Sequence, residues 1–392
     1  MGADARISHS SVPVARPWSR SAGVLRAAPA YPRPLAAAPA PTPPPVPDPM
    51  PAVTPDDPRR TALSAWVAAT LGTGDFALAP ASADASFRRY FRITPARPHH
   101  GRATLIAMDA PPPMEDCRPF VHVAGLLVAA GVHAPEVLAA DLARGFLLLT
   151  DLGTRTYLDA LDAATAPSLY RDACASLVRW QLATRPGELP PYDEALLARE
   201  LGLFPEWYVG RHLGVALTAD ETAALNATFR LLLDHNLALP RVYVHRDYHS
   251  RNLMVCADAN PGVLDFQDAV EGPITYDLVS LLRDAYVAWP EELQIDWAAR
   301  SWDDARRAGL PVGADFGAFW RDFEWMGVQR QLKVLGIFAR LCHRDGKAGY
   351  LDDMPRVMAY LRGACGRYRA LEPLLALLDA IAARARATGA AS

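Results

Sequence analysis

Lysine is scarce in this 392-residue chain, although basic residues as a class are not. The sequence holds 40 lysine and arginine residues against 43 acidic ones, and its only lysines are Lys333 and Lys347. The formal net charge is −3 at pH 7, so no basic excess favours binding of a nucleic-acid backbone. We therefore expect no nucleic-acid partner.

Long apolar runs and paired cysteines are also missing. No uninterrupted apolar stretch approaches the roughly 20 residues that a membrane-spanning helix needs, so we expect no membrane association. The five cysteines are odd in number and form neither a CxxC pair nor the spacing of a metal site. This pattern favours reduced, mostly buried thiols in a cytoplasmic protein.

Residues 1–55 differ in composition from the rest of the chain. They combine alanines with the proline-rich run Pro41–Pro47 and scattered arginines, and they lack the compact apolar stretch of a secretory signal. Such a segment buries too little apolar surface to offset its chain entropy, so we predict disorder. A targeting role and an over-extended start, with Met50 as the alternative first residue, both stay open.

Two regions follow, and their patterns differ. Residues 56–152 contain helical spacing at 61–71 and 120–130 and strand-like segments at 87–94, 103–108 and 145–150. Residues 153–392 are mainly helical, apart from a strand-and-turn segment at 243–268. The sequence therefore predicts an α+β protein with a small sheet-containing lobe before a larger helical lobe.

The segment from Val244 to Leu253 carries the strongest chemical signal. In it, Asp247 is followed five residues later by Asn252 and then by a short apolar strand. This is the spacing of a kinase catalytic loop, in which the aspartate receives or orients the proton of the attacking hydroxyl. The asparagine reaches a magnesium ion on the nucleotide phosphates. We predict Asp247 as the catalytic base and Asn252 as a metal ligand.

A second carboxylate, Asp265, follows Asn252 at a spacing that is typical of the second metal ligand of a kinase. Asp265 ends the apolar pair Val263–Leu264, and the turn Asn260–Gly262 separates this pair from the strand after Asn252. A hairpin of this length would return Asp265 beside Asn252, where a hard oxygen ligand suits magnesium. The combined spacing predicts a two-lobed, protein-kinase-like fold that uses ATP and Mg²⁺.

The sequence after Asp265 narrows the class of acceptor. Only ten residues separate Phe266 from Asp277, whereas a protein kinase needs a longer activation segment closed by Ala-Pro-Glu. A small-molecule acceptor is therefore expected. Asp277 opens a helix, so it is either a helix N-cap or a residue that hydrogen-bonds the catalytic loop; we favour the second role. His245 is predicted to support the same loop.

Two earlier segments are predicted to hold the nucleotide. Ser86 and Arg88 lie between strand-like pieces, where a kinase has its phosphate-covering loop. Asp151 and Leu152 follow an apolar strand that is typical of the hinge between lobes, where backbone groups bind adenine. Met108, at the end of another strand, is also assigned to the nucleotide site.

These motifs resemble the aminoglycoside phosphotransferase-like kinase superfamily, and within it a group of bacterial anomeric amino-sugar kinases. The resemblance covers about residues 61–375 and rests on five stretches: 83–92, 108–112, 115–120, 245–252 and 265–284. It implies ATP, Mg²⁺ and a free amino sugar, N-acetylmuramate or N-acetylglucosamine. The implied product is the α-1-phosphate, for peptidoglycan recycling.

One feature departs from the wider superfamily. The strand that should carry a phosphate-pairing lysine reads Thr104–Met108 and contains none. Guanidinium groups bind phosphate oxygens well, so Arg88, Arg89 and Arg92 are candidates to replace it. Alternation along a strand places Arg88 and Arg92 on one face and Arg89 on the other, and we prefer Arg88. A solvated strand edge is the competing interpretation.

The acceptor is expected above Asp247, against the helices of the second lobe. Aromatic faces suit sugar rings, and carboxylates accept bonds from sugar hydroxyls. A lactyl carboxylate would require a cation. Residues chosen on these grounds are Glu206, Tyr208, Arg251, Gln267 and Arg283.

Three other functions stay open. An aminoglycoside or choline kinase would share the motifs, but arginines beside the site argue against a polycationic acceptor. A nucleotide-binding regulator without catalysis would fit the missing lysine. The proline-rich segment could add an adaptor function. We expect a monomer that acts on a small-molecule amino sugar.

Overall fold

The computed structural model describes residues 57–83, 87–387 and 389. The predicted disordered segment 1–55 lies outside these residues, and so does Ser86. The predicted boundaries between regions, at residues 56 and 152, stay predictions.

A five-stranded antiparallel sheet forms the first part of the described chain. Its strands are β1 (Phe76–Ala83), β2 (Arg89–Pro95), β3 (Leu105–Asp109), β4 (Val137–Asp141) and β5 (Phe146–Thr150). They are ordered β1-β2-β3-β5-β4. Leu105 pairs with Thr150 and Asp109 with Phe146, so β3 is central and aligned with β5 along its whole length.

Alternation along β3 gives the sheet two different faces. Leu105 and Ala107 point to a small core that includes Leu63 and Val67 of helix α1 (Pro58–Leu71). Met108 points the other way, into the main core beside helix α2 (Arg118–Ala129). Helix α1 starts because the side chain of Asp57 accepts from the Arg60 backbone N–H at 3.0 Å.

Helices make up most of the chain after the sheet. They are α3 (Tyr157–Ala160), α4 (Ala166–Leu182), α5 (Glu194–Leu203), α6 (Ala219–Leu237), α7 (Tyr276–Leu282), α8 (Glu291–Arg307), α9 (Phe316–Asp345), α10 (Met354–Cys365) and α11 (Glu372–Ala387). A π-helix (Phe204–His212) follows α5, and 3₁₀ turns lie at Ala348–Asp353 and Arg369–Leu371. Helix α9 is the longest of these, at 30 residues, and it packs against α5, α7 and α10.

Two short antiparallel pairs interrupt the helices and position the predicted catalytic loop. Strand β6 (Arg241–Val244) pairs with β9 (Val270–Pro273), and β7 (Leu253–Met254) pairs with β8 (Gly262–Val263). The loop with Asp247 joins β6 to β7, and Asp265 follows β8. The hairpin predicted from Asn260–Gly262 therefore forms as expected.

The observed architecture confirms the predicted α+β fold, with a small antiparallel sheet before a larger helical region. Strands β1 and β4 were not predicted individually. All five cysteines have free thiols. Within the part of the chain that the structure describes, no helix has the length and apolarity that crossing a bilayer requires.

Candidate active site

A cleft of about 560 Å³ lies where the sheet meets the helical region. Its walls include Arg92 from β2 and the segment after β5, Asp151–Thr154. The opposite side is formed by Asp247, Asn252 and Asp265. The sequence-predicted catalytic and metal residues are thus brought together in one cavity with the predicted hinge.

The backbone of the catalytic loop is held by Asp277. Its two carboxylate oxygens accept from the backbone N–H groups of His245, at 2.6 Å, and Arg246, at 3.0 Å. Arg246 has a φ of 78°, an unfavourable angle for a residue with a side chain, so these bonds oppose a local strain. Asp277 is fully buried, and burial raises its pKa to about 6.

His245 links the loop to the strand that leads to Asp265. The Asp247 backbone N–H donates to His245 Nδ1 at 3.2 Å, so Nε2 carries the proton and donates to the Leu264 carbonyl at 2.9 Å. Burial lowers the pKa of His245, which agrees with a neutral ring. His245 therefore fixes Asp247 relative to Asp265 without carrying charge.

Asn252 and Asp265 meet directly. Asn252 Nδ2 lies 3.0 Å from the Asp247 backbone oxygen and 3.3 Å from Asp265 Oδ2. Asp265 has a φ of 60°, which turns its side chain toward Asn252 at the end of the hairpin. Gln267 Nε2 donates to the other Asp265 oxygen at 2.9 Å.

A buried ionic network lies behind the catalytic loop. Glu200 accepts from Arg246 at 2.6 Å and lies 3.0 Å from Lys333 Nζ, which also donates to the Tyr276 hydroxyl at 2.9 Å.

Burial alone would raise the pKa of Asp247. The nearby charge of Lys333, helped by other cationic groups, outweighs it and holds that pKa below its usual value. Asp247 is therefore ionised at neutral pH.

The predicted nucleotide residues occupy different positions. Asp151 and Leu152 line the cleft, and Arg92 binds Asp151 through two bonds of 2.6 and 3.0 Å. Arg88 lies 3.4 Å from Glu115, just before α2. Met108 is fully buried. Ser86 lies outside the described residues.

The predicted acceptor residues are not all at the cleft. Arg251 lines it, and Gln267 contacts Asp265. Glu206 is exposed and Tyr208 stacks on a neighbouring ring of the π-helix, away from the cleft wall. Arg283 is buried and binds Glu324 at 2.8 Å. Sugar contacts by these residues stay predictions.

Sequence reasoning missed several residues that shape the site. Tyr286, two residues after the 265–284 stretch, and Tyr350, far from any of the motifs, both line the cleft. Glu200 and Lys333 come from different helices, and no local spacing connects them. Lys333 did carry a signal, because it is one of only two lysines and falls within an apolar helical pattern.

Comparisons with known proteins agree with this geometry. Residues 77–316 match the phosphotransferase enzyme family. The N-acetylmuramate/N-acetylglucosamine kinase of Pseudomonas putida is 53% identical over 310 residues, covering 79% of this chain and 90% of that protein. The protein of the same name from Pseudomonas aeruginosa is 50% identical, covering 83% of this chain and 98% of that one.

Solved structures support the fold. The choline kinase LicA from Streptococcus pneumoniae superposes with a TM-score of 0.56 at 12% identity, covering 78% of this chain and 99% of that one. At this identity the likeness concerns the fold alone, and it confirms the predicted kinase-like architecture. The family match covers more than half of the chain, and its relatives align over nearly their full length. The chain therefore belongs to the phosphotransferase enzyme family.

Proposed function

We propose that this protein is an ATP-dependent sugar kinase that phosphorylates the anomeric C1 hydroxyl of N-acetylmuramate and N-acetylglucosamine. The product would be the α-1-phosphate, which fits peptidoglycan recycling. The observation that carries this proposal is the meeting of Asp247, Asn252 and Asp265 in one cleft. The names of relatives up to 53% identical support the choice of acceptor.

The nucleotide is proposed to lie between the hinge and the sheet. Backbone groups of Asp151 and Leu152 would bind the adenine, as hinge strands do in kinases. The guanidinium of Arg92 is already bound by two hydrogen bonds to Asp151. We therefore assign Arg92 a structural role that joins β2 to the segment after β5. We keep Arg88 as the candidate that replaces the missing lysine at the phosphates; it is also paired with a carboxylate, Glu115, but at 3.4 Å, a longer contact than those between Arg92 and Asp151.

The donor set suits Mg²⁺. Carboxylate and amide oxygens are the hard ligands that this ion prefers. Asn252 donates through Nδ2, so its Oδ1 is the atom that would ligate, together with the Asp265 carboxylate. Gln267 Oε1 is a buried oxygen without a hydrogen-bond partner in the described part of the chain, which fits a ligand or cation in front of it. When bound, Mg²⁺ neutralises charge on the transferred phosphoryl group and the bridging oxygens.

The protein's own residues would then position the acceptor. Ionised Asp247 accepts the proton of the anomeric hydroxyl and aims that oxygen in line with the γ-phosphorus. Lys333 keeps Asp247 ionised, and Asp277 and His245 keep its backbone in place. We further propose that the enzyme acts as a monomer in the cytoplasm.

Two rival functions receive less support. A polycationic aminoglycoside or a choline acceptor is disfavoured because the cleft exposes the cation of Arg251 beside Asp247. A regulator without catalysis is disfavoured because both predicted metal ligands and the predicted base converge.

The experiment is ADP release with Mg²⁺-ATP and a panel of acceptors, with phosphorus NMR on any product. The panel holds N-acetylmuramate, N-acetylglucosamine, choline and an aminoglycoside. The matched control is the C1 methyl glycoside of N-acetylglucosamine, which is the same sugar without an anomeric hydroxyl. We expect turnover of both amino sugars to an anomeric phosphate and none of the glycoside. Phosphorylation of the glycoside, or of choline alone, would contradict the proposal.

A further inference from the structure

Arg251 is distinguished by its position and its surroundings. It lies between Asp247 and Asn252 in the sequence, and its side chain lines the same cleft. The cleft wall holds one other arginine among the described residues, Arg92, whose guanidinium is bound by Asp151. Arg251 forms no ion pair within 4.0 Å with any residue that the structure describes. It is therefore a cation of the cleft with no carboxylate in direct contact among the described residues; its charge acts at longer range on Asp353, a carboxylate that is paired with Arg356.

An aromatic platform holds the guanidinium. Its Cζ lies 3.7 Å from the centre of the Tyr286 ring and 5.7 Å from that of Tyr350. A guanidinium stacked flat on an aromatic face gains cation–π attraction while its edge N–H groups remain available. Those groups form a planar fork that matches the two oxygens of a carboxylate.

The platform is also fixed relative to the catalytic loop. Asp284 accepts from the Ser250 backbone N–H and from the Tyr286 backbone N–H, each at 2.8 Å. One buried carboxylate therefore joins the residue before Arg251 to the ring beneath it. Arg251 is preorganised at a set position relative to Asp247, which lowers the entropy cost of binding an anion there.

From this placement, and resting on the proposed function, we infer that Arg251 binds the lactyl carboxylate of N-acetylmuramate and determines the preference for that sugar over N-acetylglucosamine. The two sugars share the anomeric hydroxyl and the acetamido group. They differ in charge because N-acetylmuramate carries a lactyl carboxylate and N-acetylglucosamine does not. Arg283, the other arginine considered for this role, is buried against Glu324. A charge-assisted contact from Arg251 would therefore favour the acidic sugar alone.

The test compares wild type, Arg251→Met and Arg251→Lys with both sugars. The readout is the ratio of kcat/KM for N-acetylmuramate to that for N-acetylglucosamine. Loss of a charge-assisted hydrogen bond predicts a fall in this ratio of about 10- to 100-fold in Arg251→Met. Arg251→Lys keeps the positive charge but loses the planar pair of N–H donors, so its kcat/KM ratio should lie between those of Arg251→Met and the wild type. The control is Arg321→Met, which removes a half-exposed arginine from α9 and should keep the wild-type ratio.

The methyl ester of N-acetylmuramate provides a second arm. In the wild type, kcat/KM should be lower for the ester than for the acid by the same factor by which Arg251→Met lowers kcat/KM for the acid. The variant should have similar kcat/KM values for acid and ester.

The guanidinium of Arg251 could instead bind a phosphate group of the nucleotide. Equal losses with both sugars, together with a raised KM for ATP, would assign Arg251 to the nucleotide and overturn the inference. An unchanged ratio in Arg251→Met would overturn it as well. A wild-type protein inactive on both sugars would instead refute the proposed function itself.

Discussion

Asn252 donates a hydrogen bond from Nδ2 to the backbone oxygen of Asp247 at 3.0 Å. One side chain therefore closes the catalytic loop and, through its other amide atom, is proposed to ligate Mg²⁺. The position of the base and the position of the cation are thus set by the same residue. A change at Asn252 should disturb both.

We predict that Asn252→Ala raises the Mg²⁺ concentration needed for half-maximal activity by at least about 10-fold. Even outer-sphere partners of a metal typically contribute 10- to 100-fold in affinity or activity. Titration of activity with Mg²⁺ measures this change, and Asn226→Ala, at an exposed position of α6, is the control. An unaltered Mg²⁺ requirement would remove Asn252 from the metal site.

Arg88→Met should raise the KM for ATP by about 10- to 100-fold if this arginine replaces the missing lysine. The KM for the sugar should change little, because Arg88 lies beside Glu115 on the sheet side of the molecule. Initial rates at varied ATP check the expectation, with exposed Arg97→Met as the matched control. A normal KM for ATP in Arg88→Met would show that another group neutralises the phosphates.

Lys333→Met should destabilise the protein by about 3–5 kcal/mol, the usual effect of breaking a buried ion pair by removing one partner. In this variant Glu200 would keep its ion pair with Arg246 but lose the ammonium group of Lys333, which lies 3.0 Å away in the wild type. Urea denaturation measures the free energy of unfolding. Lys347→Met removes the other lysine from a less buried position and should change that free energy by about 0.5 kcal/mol or less. Equal effects of the two substitutions would contradict this account of the network.

Asp277 should leave a signature in the pH dependence of stability. Its pKa of about 6 in the folded protein exceeds the value near 3.9 of an unfolded chain, so the folded state binds this proton more tightly. Its favourable contribution is therefore present at low pH and is lost as the pH rises through about 6. Asp277→Asn cannot titrate. The difference in unfolding free energy, wild type minus variant, should fall by about 2 kcal/mol between pH 4 and pH 7. A difference independent of pH would refute the assignment.

The catalytic loop was predictable because its chemistry is local in sequence. Asp247 and Asn252 are five residues apart, and the turn after β7 fixes how far the chain travels before Asp265. The kinase-like fold followed from these spacings and from the resemblance. No knowledge of long-range packing was needed for either step.

Contacts between distant segments were not predictable in this way. Lys333 reaches Glu200 because α9 packs on α5, and Asp284 holds Tyr286 next to the catalytic loop by accepting from the backbone N–H groups of Ser250 and Tyr286. Strands β1 and β4 are rich in alanine, which has a low strand propensity, so pairing with β2 and β5 defines them rather than their own composition.

The most direct test of the account is the turnover of Asp247→Asn. This substitution preserves the size of the side chain and removes the carboxylate that is proposed to take the hydroxyl proton. We predict a kcat about 100- to 10,000-fold below wild type. The thermal midpoint and the affinity for ADP should stay close to wild type, showing that the fold and the nucleotide site are intact. Near-normal turnover in that folded variant would contradict the central claim that Asp247 is the catalytic base.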